Sequence, residues 1–217
     1  MQEERSETGR RGGFGKQVLW VVIAIFLVGA FVVLLPCLLA RHGAVGRAFL
    51  DSRPSGAPRV LDPLSSWEAA YGKAATVQEA DGGHTFFFWP DRGFGVFTHP
   101  DYRGQQETKP SAEWAVTSVV IPLQLVIAPR MPLMAAGARA HFATLLPLKV
   151  DGRPLTDMDV GQLRNLYRSS WMVGGDCLEL SSCPVPSLGC CVTRVYMAGG
   201  RPEMIELRHQ SLFHRYE

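Results

Sequence analysis

Residues 18–40 form an unbroken run of 23 residues without a single charge. As a helix rising about 1.5 Å per residue, such a run crosses a hydrocarbon core of roughly 30 Å with some tilt. A cleavable secretory signal has a shorter apolar core, about 7–15 residues, and ends at a small-x-small site. Leu38-Leu39-Ala40-Arg41 does not provide that site, and Pro36 ahead of Cys37 does not suit lipidation. The run therefore reads as an uncleaved, single-pass signal anchor, with the lipid bilayer as its first partner. Arg5, Arg10, Arg11 and Lys16 precede it, and Arg41, Arg47 and Arg53 follow it. The excess places the N-terminus in the cytoplasm and the C-terminal domain outside it. Gly29 has no small residue at Ile25 or Val33, so a glycine-mediated helix dimer is not signalled.

A second apolar stretch, residues 116–136, carries only Arg130 as a charge. Pro122, Pro129 and Pro132 interrupt it, and Val116-Thr117-Ser118-Val119-Val120-Ile121 is β-branched, so a buried strand and loop are expected rather than a second crossing.

Removing the tail and anchor from 217 residues leaves enough chain for one core-bearing domain. A net charge of +2 sets up no strong field, and no basic cluster with interleaved aromatics marks a nucleic-acid surface. Fifteen prolines and 22 glycines favour turns over long helices. The expected class is α+β: one transmembrane helix, then a β-rich domain with short helices. The expected segments are a disordered cytoplasmic tail (1–17), the anchor (18–40), a juxtamembrane segment and linker (41–59), and the domain (60–217).

Within that domain, Ser65-Ser66-Trp67-Glu68 has capping-box spacing, and Gly72 closes the helix it starts, with Trp67, Ala70 and Tyr71 on the buried face. Residues 84–89 and 94–98 read as a hairpin around Pro90-Asp91-Arg92-Gly93. Residues 99–113 read as a polar loop, and residues 114–125 as a strand. Residues 142–150 form another strand, Asp151-Gly152 a turn, and Thr156-Asp157-Met158-Asp159 a cap. The helix that follows runs to about Ser169, with Val160, Leu163, Leu166 and Tyr167 on one face. Strands then cover 177–180, 191–197 and 204–209, with Gly199-Gly200 turning the last pair. Pro63-Leu64-Ser65 and Pro154-Leu155-Thr156 open the two halves alike, which suggests two related helix-hairpin units.

Trp67, Tyr71-Gly72-Lys73 and Phe88-Trp89-Pro90-Asp91-Arg92-Gly93 carry a resemblance. Residues 63–125 resemble uncharacterised bacterial envelope domains in which a helix ends at glycine and a strand ends in Trp-Asp-x-x-Gly. The inserted Pro90 departs from that pattern. More loosely, the layout is similar to small envelope-assembly lipoproteins. The resemblance implies an α+β envelope domain and supplies no catalytic residue.

Chemistry is sparsely signalled. Cys177, Cys183, Cys190 and Cys191 cluster, and in an oxidising compartment they are disulfide candidates. Their spacing lacks the paired knuckles of a zinc site, and buried thiols are the remaining alternative. His209 and His214 are the one histidine pair at ligand spacing, near a terminus. His99-Pro100-Asp101-Tyr102 is the most site-like cluster, though it also reads as a plain turn. No nucleophile elbow or phosphate loop occurs, and no cofactor is implied. If the domain binds a partner, Asp91 and Arg92 at the hairpin tip, with Trp89, His99 and Asp101 beside it, form the expected surface. The expected function is a non-enzymatic envelope domain that binds another envelope protein. The alternative is a tethered thiol or hydrolytic enzyme using Cys177 or Cys183 with His99.

Overall fold

The computed structural model describes residues 18–29, 42–79, 84–98, 113–127, 140–167, 169–181 and 191–209. Residues 18–29 are helical, and their large apolar side chains, among them Trp20, Ile25 and Phe26, are exposed. The rest of the uncharged run lies outside the described residues. Among the described residues no helix is long and apolar enough to cross a membrane.

The chain divides into two compact units, residues 1–39 and 40–217. The second is α+β. Its centre is an eight-stranded antiparallel sheet in the order β1-β2-β3-β4-β12-β11-β10-β9. The strands are β1 (Thr76–Glu79), β2 (Thr85–Trp89), β3 (Phe94–Thr98), β4 (Val116–Pro122), β9 (Ser169–Val173), β10 (Cys177–Ser181), β11 (Cys191–Ala198) and β12 (Arg201–His209). Two hairpins stand apart from it: β5 (Val126–Ile127) with β6 (Ala140–His141), and β7 (Lys149–Val150) with β8 (Arg153–Pro154). The helices are α1 (Gly43–Asp51), α2 (Leu64–Tyr71) and α3 (Val160–Asn165).

The order of the sheet has a simple logic. A helix followed by a four-stranded meander occurs twice, as α2-β1-β2-β3-β4 and as α3-β9-β10-β11-β12. The last strand of each meander pairs antiparallel with the other, with Ile205 opposite Ile121 and Leu207 opposite Val119. Among the described residues β1 and β9 are left as the two edges.

All three helices cover one face. Val45 and Phe49 of α1, Leu64 and Trp67 of α2, and Leu163 of α3 join Phe87, Trp89, Phe94, Val119, Ile121, Leu178, Val195 and Ile205 in one core. On the other face Phe86, Phe88, Phe97, Val120, Phe142, Cys177, Tyr196 and Met204 form a second core. The aromatic run therefore divides by strand alternation, and both halves are buried. Gly95 matters here: a Cβ at that position would overlap the Phe86 ring, which lies across the strand. The apolar run at 116–136 begins as the fully buried central strand β4.

Several sequence expectations change in detail. The folded body begins before residue 60, because Val45 and Phe49 lie four apart on α1 and enter the core. The α1 entrance is pinned. Tyr167 Oη and Thr193 Oγ1 donate to the His42 carbonyl at 3.0 and 3.2 Å, and the Val45 N–H donates to Tyr167 Oη at 3.3 Å. The Ser65–Glu68 capping box does not form: Pro63 is the N-cap of α2, which places Ser65 inside the first turn. Leu64, rather than Ala70, is buried beside Trp67, and Ala70 is exposed. The real capping box is at Asp159 and Gln162, which opens α3. Residues 142–148 are irregular rather than a strand. The helix expected to run to about Ser169, α3, ends at Asn165, and the chain then forms β9. Gly72, at φ 83°, ends α2 as expected.

Candidate functional site

One register row crosses the face opposite the helices: Phe88, Gly95, Val120, Glu206, Arg194, Glu179 and Trp171. Its stretch over β2, β3 and β4 is apolar. Its β9–β12 half carries a carboxylate, a guanidinium and a second carboxylate on adjacent strands. Arg194 Nε donates to Glu179 Oε2 at 2.8 Å, and Arg194 Nη1 lies 3.8 Å from Glu206 Oε2. Tyr196 Oη donates to the same Glu206 oxygen at 3.3 Å. Glu206 is fully buried, and its Oε1 has no hydrogen-bond partner.

Burial shapes the chemistry of this cluster. Desolvation works to lower the Arg194 pKa, but the Glu206 and Glu179 carboxylates together outweigh it and raise it above the ordinary range. Tyr196 is pushed up by burial and by the neighbouring Glu206 charge. Cys177, two residues from Glu179 on β10 and opposite Tyr196, is a free, buried thiol whose pKa burial pushes up to about 12. A thiol in that state is a poor nucleophile at neutral pH. The cluster is thus a packed row in which one guanidinium serves two carboxylates and one Glu206 oxygen is left without a hydrogen bond.

The hairpin tip is built by a 3-10 turn over Pro90–Arg92, closed by Gly93 at φ 70°. Asp91 and Arg92 are exposed there. Trp89 is not part of that surface. It is 4% exposed, donates from Nε1 to the Gly72 carbonyl at 2.7 Å and packs on Phe94 and Tyr71. Its indole faces the helix side because it alternates with Phe88. His99, Asp101, Cys183 and Cys190 lie outside the described residues. Cys191 opens β11 and is half-buried. Among the described residues no group of three or more His, Cys, Asp or Glu side chains is arranged to hold a metal ion.

The feature sequence reasoning missed is the edge strand β9. It pairs with β10 through Ser170–Leu180, Trp171–Glu179 and Met172–Leu178, and among the described residues it ends the sheet. Ser169-Ser170-Trp171-Met172-Val173 contains no charge and no proline. Met172 and Val173 are 39% and 40% exposed. The opposite edge, β1, carries Glu79. Natural edge strands are usually guarded by charges, prolines or bulges, and β9 has none of these. The local signal is slight: Trp171 and the β-branched Val173 run into the Gly174-Gly175 turn, at φ 64° and 86°.

No family model matches this chain, and no curated protein matches it. Among solved structures it is similar to a cysteine-rich secretory protein from Staphylococcus aureus, at 10% identity and a TM-score of 0.35. That match covers 78% of this chain and 48% of the other, so the chain spans about half that protein's length.

Proposed function

We propose that this chain is a single-pass, membrane-anchored, non-catalytic α+β domain of the cell envelope, which acts by binding another envelope component through the β9 edge. The observation that carries the reading is β9: an uncharged terminal strand with exposed Met172 and Val173. A strand edge offers unpaired backbone N–H and C=O groups, and a partner strand satisfies them by addition to the sheet. The uncharged run at 18–40 supports the anchor, with the N-terminus in the cytoplasm and the domain beyond the membrane. The like build of the two helix–meander units supports an origin from one repeated element. The raised Cys177 pKa weighs against the thiol-enzyme alternative.

A photo-crosslinking residue placed at Met172 in full-length chains in cells tests the reading, with Arg92 as the comparison site. A discrete adduct from Met172, absent from Arg92, is expected. Adducts from Arg92 alone would move the binding site to the hairpin tip. No adduct from either position would contradict a binding role.

A further inference from the structure

We propose that the occupant of the β9 edge is β9 of a second copy of this chain, paired antiparallel with Trp171 opposite Trp171. This inference rests on the reading of β9 as the binding edge. Three observations favour a second copy over an unrelated strand.

The first is self-complementarity. In an antiparallel pair centred on Trp171, Ser170 of each copy faces Met172 of the other, and Ser169 faces Val173. The strand is uncharged, so no like charges meet across the pair. The opposite edge, β1, carries Glu79 and lacks this neutrality.

The second is the architecture of the sheet itself. Its centre is an antiparallel junction of two like meanders, β4 against β12, with no charge conflict across the seam at Ile205–Ile121 and Leu207–Val119. A β9–β9 junction repeats that kind of joint at the other end of the second meander and makes one continuous sheet.

The third is geometric. The two-fold axis of an antiparallel strand pair stands perpendicular to the sheet, so each face of one copy continues into the same face of the next. The helices α1, α2 and α3 all cover one face, and the His42 carbonyl at the entrance of α1 is bonded to Thr193 and Tyr167 on that face. Both copies therefore present the point where the chain enters the domain on the same side. A chain anchored at its N-terminus needs that arrangement if two copies are to share one bilayer. Trp171 lies on the other face, in register with Glu179, and would stack at the two-fold axis.

The register makes the test specific. Full-length chains in lipid vesicles carry alanine at all five native cysteines. Trp171→Cys alone should form an intermolecular disulfide under mild oxidation, because opposed residues of an antiparallel pair lie within disulfide reach. A mixture of Ser170→Cys chains and Met172→Cys chains should cross-link, and each alone should not. This arm keeps the register testable if Trp171→Cys fails to fold. Met172→Lys should lower the particle mass of the native-cysteine protein in detergent by about a factor of two. Monomeric native protein together with no cross-link in either arm would overturn the proposal. If Met172 then still captures a different protein in cells, the binding role of the edge stands and only the second copy is wrong. Cross-links at Ser170 alone would also overturn it, by showing another register.

Discussion

At the scale of single residues, the face opposite the helices is governed by one guanidinium between two carboxylates. Arg194 is the partner of both Glu179 and Glu206. Removing one member of a buried ion pair leaves an uncompensated charge, which typically costs about 3–5 kcal/mol. Arg194→Met should therefore lower the urea-unfolding free energy by about that amount, and adding Glu179→Gln and Glu206→Gln should return much of it. Cys177 supplies a second prediction. Its thiol stays protonated well above neutral pH because burial disfavours the thiolate, with a pKa of about 12. In a chain whose other cysteines are replaced, iodoacetamide should label native Cys177 slowly at pH 8 and rapidly only after denaturation. Fast native labelling would revive a nucleophilic role. Neither property was legible beforehand. Glu179, Arg194 and Glu206 are fifteen and twelve residues apart, and only the β10-β11-β12 register brings them into a row. The cysteines drew attention by their spacing, whereas what decides Cys177 is the packing of Tyr196 and Met204 around it.

At the scale of elements, α1 is the piece that local sequence reasoning placed outside the domain. Its helical propensity is visible, but residues 51–58 look like a linker, so the boundary fell at 60. What joins α1 to the sheet is long-range: Phe49 meets Phe94 edge-on at 5.8 Å, and the Arg53 guanidinium lies 4.0 Å above the Phe49 ring. Phe49→Ala should cost about 3–5 kcal/mol, as large-to-small changes in aromatic cores do. Chains that start at residue 60 should be markedly less stable in urea than chains that start at 42. Tyr167 fixes the same helix, and burial raises its pKa from the ordinary 10.0 to about 12. Between those two values the folded chain holds a proton that the unfolded chain has lost, so stability falls as pH rises. Tyr167→Phe should be the less stable protein at pH 8, and the gap should narrow between pH 10 and 12. The hairpin β2–β3 was legible to within a residue, because Pro90 and Gly93 dictate the turn locally. β9 was not, because five residues with one aromatic carry little periodicity, and β10 is what makes them a strand.

At the scale of the whole molecule, two helix–meander units share one sheet and leave two unequal edges. The echo between residues 63–65 and 154–156 pointed to two units. It did not reveal that their last strands meet at the centre, since that junction joins residues more than eighty positions apart. On the proposed reading, the β9 edge is the working surface of a domain that the uncharged run at 18–40 would anchor in a membrane. Amide hydrogen exchange over residues 169–173 tests this directly, comparing full-length protein in native membranes with the same protein diluted in excess detergent. Slow exchange is expected in the membrane, where the outward N–H groups would be paired with another strand, and fast exchange after dilution. Equally fast exchange in both would mean that β9 is an idle edge, and would contradict the account.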